Sequence, residues 1–310
     1  MTASAPRIAT LAVIGVGLIG GSFALALKAS GRVGSVVGVG RGRANLDAAL
    51  ARGVVDRAVT RDQDWTREIA DADLVLIATP VAQYPAVFAA LAGKLRANTI
   101  LTDAGSTKGN VVTAARAHLG RAMGRFVPGH PIAGTEHAGA AAAFATLFRD
   151  RNVVLTPLPE TDRAAVATVA EMWTACGAHV QELDPAAHDK IFAAVSHLPH
   201  LLAFALVDLL AARPDADDVF RYAASGFRDF TRIAASSPEM WRDISLANRE
   251  ALRIEIEAYR TQLDAIAAMV AEGDGAALEA VFARAAAARR AWGATFARAP
   301  AVPADGPRER

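Results

Sequence analysis

Residues Val13-Ile14-Gly15-Val16-Gly17-Leu18-Ile19-Gly20-Gly21-Ser22 set three glycines in a G-x-G-x-x-G spacing between an apolar, strand-like run and a helix-like one. Few short patterns restrict a fold as much. The first glycine permits a tight turn, the second lets the backbone approach a pyrophosphate, and the third lets helix and strand pack closely. The helix that follows turns unbonded N–H groups and its positive dipole end toward the phosphates. Three glycines alone are a weak signal. Their place between strand and helix makes Gly15, Gly17, Leu18, Ile19 and Gly20 a candidate dinucleotide cradle.

The alternation continues well beyond this turn. Strands are expected at Thr10–Ile14, Ser35–Val39, Leu74–Thr79, Thr99–Asp103, Phe126–Pro128, Val153–Thr156 and His179–Leu183, with helical stretches between them. Leu74-Val75-Leu76-Ile77-Ala78 is apolar throughout, as in a parallel strand covered on both faces. Residues 1–184 therefore read as an α/β, doubly wound, Rossmann-type dinucleotide-binding domain. Asp184-Pro185 pairs an acidic cap with proline at the first helical position, a strong helix start. From there an all-helical domain is expected over residues 185–299, followed by a disordered tail at 300–310. Pro199 should kink a helix over 185–211 and free the carbonyl of Val195. Ser237-Pro238 should open a longer helix running to Gly273. Along it Leu252, Ile256, Tyr259, Leu263, Ile266 and Val270 recur at heptad-like spacing, a seam for packing against another helix. A last helix repeats the style with Leu278, Ala285, Trp292 and Phe296.

Composition narrows the function classes. Hydrophobic residues are 53% of the 310, much of it alanine, and aromatics only 6%, which suits close-packed helices with small interface residues. A formal net charge of +1 supplies no basic field for nucleic acid. Cys176 is the one cysteine, which excludes an internal disulfide framework or a cysteine-based zinc site and fits a reducing cytosol. His197 and His200 lack the companion glutamate or cysteine of a metal motif, so no metal is assigned. No apolar run is read as approaching the roughly 18 residues that span a bilayer. The N-terminus leads into a strand without room for a signal peptide. A soluble, cytoplasmic protein is expected.

The choice between dinucleotides turns on the end of the second strand. NAD-binding folds commonly hold the ribose 2′-hydroxyl with an acid there. Here the segment is Gly38-Val39-Gly40-Arg41-Gly42-Arg43, and the first acid in the chain is Asp47. Arg41 and Arg43 suit a 2′-phosphate, which a carboxylate would repel. NADP is expected in preference to NAD. Thr79, Pro80 and Asp103 stand at the carboxyl ends of strands, where ligands bind in doubly wound sheets, and complete the expected cofactor contacts.

Gly129-His130-Pro131-Ile132-Ala133-Gly134-Thr135-Glu136-His137 packs polar groups, glycine and proline into nine positions without helical or strand periodicity. Such irregular loops on a rigid scaffold often carry catalytic groups, and a histidine there can exchange a proton near neutrality. Three further segments accompany it: Asp103-Ala104-Gly105-Ser106-Thr107-Lys108, Ser196-His197-Leu198-Pro199-His200, and Gly226–Ile233 with Pro238–Asp243. Singly, Ser106 could be a helix cap, His197 and His200 core histidines, and Trp241 core packing.

Taken in this order behind the glycine fingerprint, the segments resemble the prephenate/arogenate dehydrogenase family of tyrosine biosynthesis, over roughly residues 8 to 300. The resemblance implies a dinucleotide-binding domain followed by a helical dimerisation domain, and oxidative decarboxylation of prephenate or arogenate with a homodimeric enzyme. It implies that His130 deprotonates the ring hydroxyl, assisted by Ser106 beside the nicotinamide. Arg232 would hold a substrate carboxylate. His197, His200, Thr135 and Trp241 would surround the ring and side chain, with Glu136 near the pocket mouth. Gly40 departs from NAD-using members, which have an acid there. The fused mutase and small regulatory domain of some relatives are not seen. Two other readings stand beside this one: a 3-hydroxyacid dehydrogenase using Lys190, and a non-catalytic NADP-sensing dimer.

Overall fold

The computed structural model describes residues 7–135 and 137–296. Glu136 and the expected tail at 300–310 lie outside the described residues, as do the side chains of Thr295 and Phe296. The strands are β1 Ile8–Ile14, β2 Val33–Gly40, β3 Arg57–Thr60, β4 Leu74–Ile77, β5 Ile100–Asp103, β6 Phe126–Val127, β7 Gly129–Pro131, β8 Asn152–Leu155 and β9 His179–Glu182. The helices are α1 Leu18–Ala29, α2 Arg43–Ala51, α3 Trp65–Glu68, α4 Tyr84–Leu91, α5 Gly109–His118, α6 Arg163–Ala175, α7 Pro185–Phe192 and α8 Leu198–Ala211. They continue with α9 Ala216–Arg221, α10 Ser225–Thr231, α11 Pro238–Ala247, α12 Arg249–Glu272 and α13 Gly275–Phe296.

Six parallel strands form a sheet in the order β3-β2-β1-β4-β5-β6. The order reverses between β1 and β4, and there the carboxyl ends of the strands open the ligand crevice of a doubly wound sheet. Alternate residues of one strand feed two cores. Leu11 and Val13 join Phe23 and Trp173 on one face, while Ala12 and Ile14 join Phe88 and Phe126 on the other. Burial on both faces is why β4 is apolar throughout and β1 from Leu11 to Ile14, rather than at every second position.

A second sheet, β7-β8-β9, corrects the reading of residues 129–137 as wholly irregular. Gly129–Pro131 pairs antiparallel with β8, His130 opposite Val154. Three residues are too few to carry a period, so the partner strand decides their conformation. Gly129 is needed because a Cβ there would lie 2.9 Å from the Asp103 carbonyl oxygen. β3 was likewise absent from the expected strands; Arg57-Ala58-Val59-Thr60 is a short edge strand with little apolar signal.

After Leu183 no strand occurs among the described residues. The expected kink near Pro199 is a π-helical turn at Ala193–His197, with Pro199 in the first turn of α8. The expected continuous helix from Pro238 to Gly273 is two helices, because Asn248 ends α11 and α12 starts afresh. The expectation about apolar runs also fails. Pro185–Ala211 is long and apolar enough to cross a membrane by length and composition. Its histidines, Asp189 and Pro199 interrupt the run to the eye, but the residues between them are apolar enough to carry it, and several of those polar residues build the site described below.

The chain divides into two compact units, one ending at Leu252 and one beginning at Arg253. The second consists of the rest of α12 and α13. On it, Ile256, Tyr259, Leu263 and Val270 of the seam are exposed, Val270 at 63%.

Candidate active site

The glycine turn has the geometry its spacing requires. Gly15 adopts φ 98°, and a Cβ on it would lie 2.5 Å from the Ala78 carbonyl oxygen. A Cβ on Gly20 would collide with the Gly15 carbonyl and Val13. Gly17 alone faces open space. No side chain caps α1, and its first helical bond runs from Gly21 N–H to the Gly17 carbonyl at 2.9 Å. The N–H groups of Leu18, Ile19 and Gly20 therefore lack intrahelical acceptors. Open space on Gly17 beside uncapped donors fits a pyrophosphate. At the end of β4 the Thr79 hydroxyl is buried with no partner, next to Pro80, and is a further group a bound dinucleotide could satisfy.

At the end of β2, a Cβ on Gly40 would stand 3.0 Å from Leu46, so there is little room there for an acidic side chain. Arg43 pairs with Asp47 at 2.9 Å. Arg41 is exposed and makes no ion pair with a described residue.

Asp103 ends β5 wholly buried. Its carboxylate accepts from Lys108 Nζ (2.6 Å), Gly105 N–H (2.8 Å), Gly129 N–H (2.9 Å) and the Tyr84 hydroxyl (3.1 Å). Lys108 Nζ also donates to the Gly129 carbonyl. Asp103 is thus engaged with protein groups, and the pair bolts β7 to the end of β5. Burial draws the Lys108 pKa down, against the pull of Asp103 and Asp189.

His130, the central residue of β7, lies deep in the protein yet keeps part of its surface open. Its Nδ1 is 2.9 Å from His188 Nε2. His188 Nδ1 is 2.9 Å from Asp189 Oδ1, and Asp189 also accepts from the N–H groups of Lys108 (2.8 Å) and Gly109 (2.7 Å). Asp189 therefore caps the start of α5, and Ser106, whose side chain could have capped it, stands earlier in the loop and caps nothing. Burial first, then the positive charge that His188, Lys108 and His197 can bear, drives the His130 pKa well below 6.5. Burial also lowers His188, opposed by its bond to Asp189. For Asp189, burial resists ionisation, but bonds from His188, Gly109 and Lys108 outweigh it and keep the carboxyl below 3.8.

A second cluster adjoins this one. Asn248, the C-cap of α11, donates from Nδ2 to the Asp189 carbonyl (2.7 Å) and faces His197 Nδ1 (3.1 Å). Burial pushes His197 down to about 4, with Asp189 pulling the other way. His197 Nε2 has no well-formed hydrogen bond, although the Ser106 carbonyl is near enough to act on the ring. His200 stacks on Trp241 with ring centroids 3.6 Å apart, and its Nδ1 donates to the Ser196 carbonyl at 2.8 Å. The Trp241 indole N–H is buried without a partner. Exposed Arg232, at the start of a short turn, is close enough to depress His200, behind burial.

Of the residues singled out from sequence, His130, His197, His200, Trp241 and Arg232 thus come together, with Ser106 at the edge of His197. Thr135 is exposed, and its hydroxyl accepts from His137 N–H at 3.2 Å. Lys190 is exposed, whereas its neighbours His188 and Asp189 are buried. Sequence reasoning missed His188, Asp189 and Asn248. A signal for Asp189 was present: Asp189, His197 and His200 fall at i, i+8 and i+11, within one face of a helical period.

Comparison with known proteins agrees with this geometry. Residues 23–182 match the family described as prephenate dehydrogenase, nucleotide-binding domain, and residues 184–284 match its dimerization domain. The cyclohexadienyl dehydrogenase of Zymomonas mobilis is 37% identical over 86% of this chain and 89% of its own. The prephenate dehydrogenase of Bacillus subtilis is also 37% identical, over 86% of this chain and 71% of its own. The crystal structure of Aquifex aeolicus prephenate dehydrogenase in complex with hydroxyphenyl propionate and NAD+ superimposes with a TM-score of 0.85. It is 34% identical and covers 94% of this chain and 99% of that one. An α/β nucleotide-binding domain followed by helices, a cradle fitted to a nicotinamide dinucleotide, and these matches establish that the chain belongs to the prephenate dehydrogenase family of oxidoreductases.

Proposed function

We propose that this chain is a cytoplasmic, homodimeric enzyme that oxidatively decarboxylates prephenate, arogenate or both, with NADP in preference to NAD. One observation carries the reading: His130, an imidazole held neutral at physiological pH, partly open, and fastened to the carboxyl end of β5, on the same sheet edge as the glycine cradle.

The bound nicotinamide supplies the acceptor for a hydride from the ring carbinol carbon. His130 takes the hydroxyl proton as that carbon becomes a carbonyl carbon. The ring carboxylate leaves as CO₂, and its bonding pair enters the ring, which becomes aromatic as the carbonyl oxygen gains a proton. Ser106 assists His130, and Arg232 holds a substrate carboxylate. The buried, unpartnered ring nitrogens of His197 and Trp241 suit polar groups of the substrate, because a buried polar group without a partner costs about 1–3 kcal/mol. His200 is stacked in place by Trp241 to line the ring, and by family resemblance Thr135 is assigned to the ring and side chain and Glu136 to the pocket mouth. Arg41, with no acid nearby on β2, favours a 2′-phosphate. The exposed seam on α12 is the face for a second copy of the chain.

The test is His130→Asn, which keeps a hydrogen bond to the substrate hydroxyl but cannot take its proton. Dinucleotide and substrate affinity should persist while kcat falls by about 10²–10⁴. More than a tenth of wild-type kcat would remove His130 from this role. Measuring kcat/KM for prephenate and arogenate, each with NADP and NAD, defines the substrate and cofactor.

A further inference from the structure

We infer that His188 and Asp189 form a positioning dyad that fixes the ring tautomer of His130 and presents its Nε2 as a lone pair to the substrate hydroxyl. The inference rests on His130 as the proton acceptor and concerns how that acceptor is prepared.

The contacts leave one consistent assignment of protons. The Asp189 carboxylate is ionised, and two backbone N–H groups at the start of α5 already point at it. It can only accept from His188, so His188 Nδ1 bears a proton. A neutral His188 then offers a lone pair at Nε2, 2.9 Å from His130 Nδ1. That nitrogen of His130 must be the N–H, and Nε2 is left bare. The opposite tautomer would set two lone pairs against each other.

The chain is also mechanically held. Phe192 packs against both rings, with centroids 4.9 Å from His130 and 4.5 Å from His188. His188 is fully buried. The charged or titratable groups facing His130 are His188 on α7, Lys108 before α5 and His197 on the π-helical turn. Those facing His188 are Asp189, Lys108 and Asp103, together with the rings of His130 and His197. Among these the only carboxylate bonded to either ring is Asp189. When His130 becomes an imidazolium, its Nδ1–H is received by a ring already polarised by that carboxylate. No proton need leave His188. The hydrogen bond to the second ring nitrogen sets which nitrogen reacts, the general rule for histidine.

The experiment compares His188→Leu, which removes the acceptor, with His188→Gln, whose amide oxygen can stand where Nε2 stood. Outer partners that orient a metal-bound imidazole are typically worth about 10–100-fold, and the same scale is taken for this ring. His188→Leu should lower kcat by that amount with KM and dinucleotide affinity little changed, and His188→Gln should recover most of the loss. Placed on His130→Asn, His188→Leu should add almost nothing, since it acts through a ring no longer present. Nitrogen-15 shifts of the His130 ring in the ligand-free protein should show a protonated Nδ1 and bare Nε2, a state that His188→Leu abolishes and His188→Gln keeps.

A His188→Leu enzyme with near wild-type kcat and an unchanged His130 tautomer would overturn the dyad while leaving His130 as the base. Losses that multiply in the double variant would make His188 merely structural and overturn it too. If His188→Leu does not fold, a folded His188→Gln enzyme that has lost kcat or the Nδ1–H tautomer is equally decisive. An active His130→Asn enzyme is the separate failure, that of the base assignment.

Discussion

Replacing Lys108 with Met removes a cation that two different properties depend on, and the structure gives a sign for each. The side chain is fully buried, and its Nζ is 2.6 Å from Asp103 and bonded to the Gly129 carbonyl. Methionine fills the space without the charge. Asp103 keeps three donors, Gly105 N–H, Gly129 N–H and the Tyr84 hydroxyl, but becomes a buried anion without its counter-charge. Breaking a buried pair in this way costs about 3–5 kcal/mol, a large part of the roughly 5–15 kcal/mol that holds a domain folded. The second effect is on His130, where the positive charge of Lys108 is one of the forces lowering the pKa. Its removal makes the imidazolium easier to form, so the acidic limb of kcat/KM should move toward higher pH. Urea unfolding of the cofactor-free protein reads the first effect and a pH–rate profile the second. A loss under 1 kcal/mol, against the several expected for a broken buried pair, would refute the account of Lys108. So would a limb that moves to lower pH.

Three further outcomes follow from the same geometry. Arg41→Ala should weaken NADP binding by about 1–3 kcal/mol with little effect on NAD, the scale of a hydrogen bond to a charged group; equal losses in calorimetry would count against a 2′-phosphate contact. Glutamates at Leu263 and Ile266 should convert the proposed dimer to monomer or aggregate in sedimentation, and a native chain that is monomeric at micromolar concentration would refute the seam as an interface. Acid should destabilise the fold through the buried histidines. His197 is lowered from 6.5 to about 4, so between those values the unfolded chain binds a proton that the folded one refuses. Stability is then lost as pH falls through that window, by about 3 kcal/mol for this residue alone. His197→Asn should flatten the slope, and an unchanged slope would contradict the burial of a neutral His197.

What the sequence determined by itself was local. Gly15, Gly17 and Gly20 act within one turn, where steric rules leave few conformations. The parallel strands announce themselves because burial on two faces demands apolar residues at every position, as at Leu74–Ile77. The boundary at Asp184-Pro185 was readable for the same reason, since capping is settled within four residues; in the structure the Asp184 carboxylate does accept from Ala186 and Ala187 N–H. Gly129–Pro131 was not readable as a strand, because β8 and the close approach of Asp103 impose that conformation from outside. The break at Asn248 was hidden as well. A helical period continues through it, while the partners that hold the Asn248 side chain, Asp189 and His197, lie some fifty to sixty residues away. The histidine chain behind His130 belongs to the same class. His188, Asp189 and Lys108 have ordinary explanations one at a time: a helix interior, a surface acid, a surface base. Only folding sets the start of α5 against α7 and brings Asp189 to two backbone N–H groups at once. Local sequence carries the interactions that close within a turn of helix or strand, whereas a buried polar network is specified by partners distant along the chain, and it exists only when packing delivers them together.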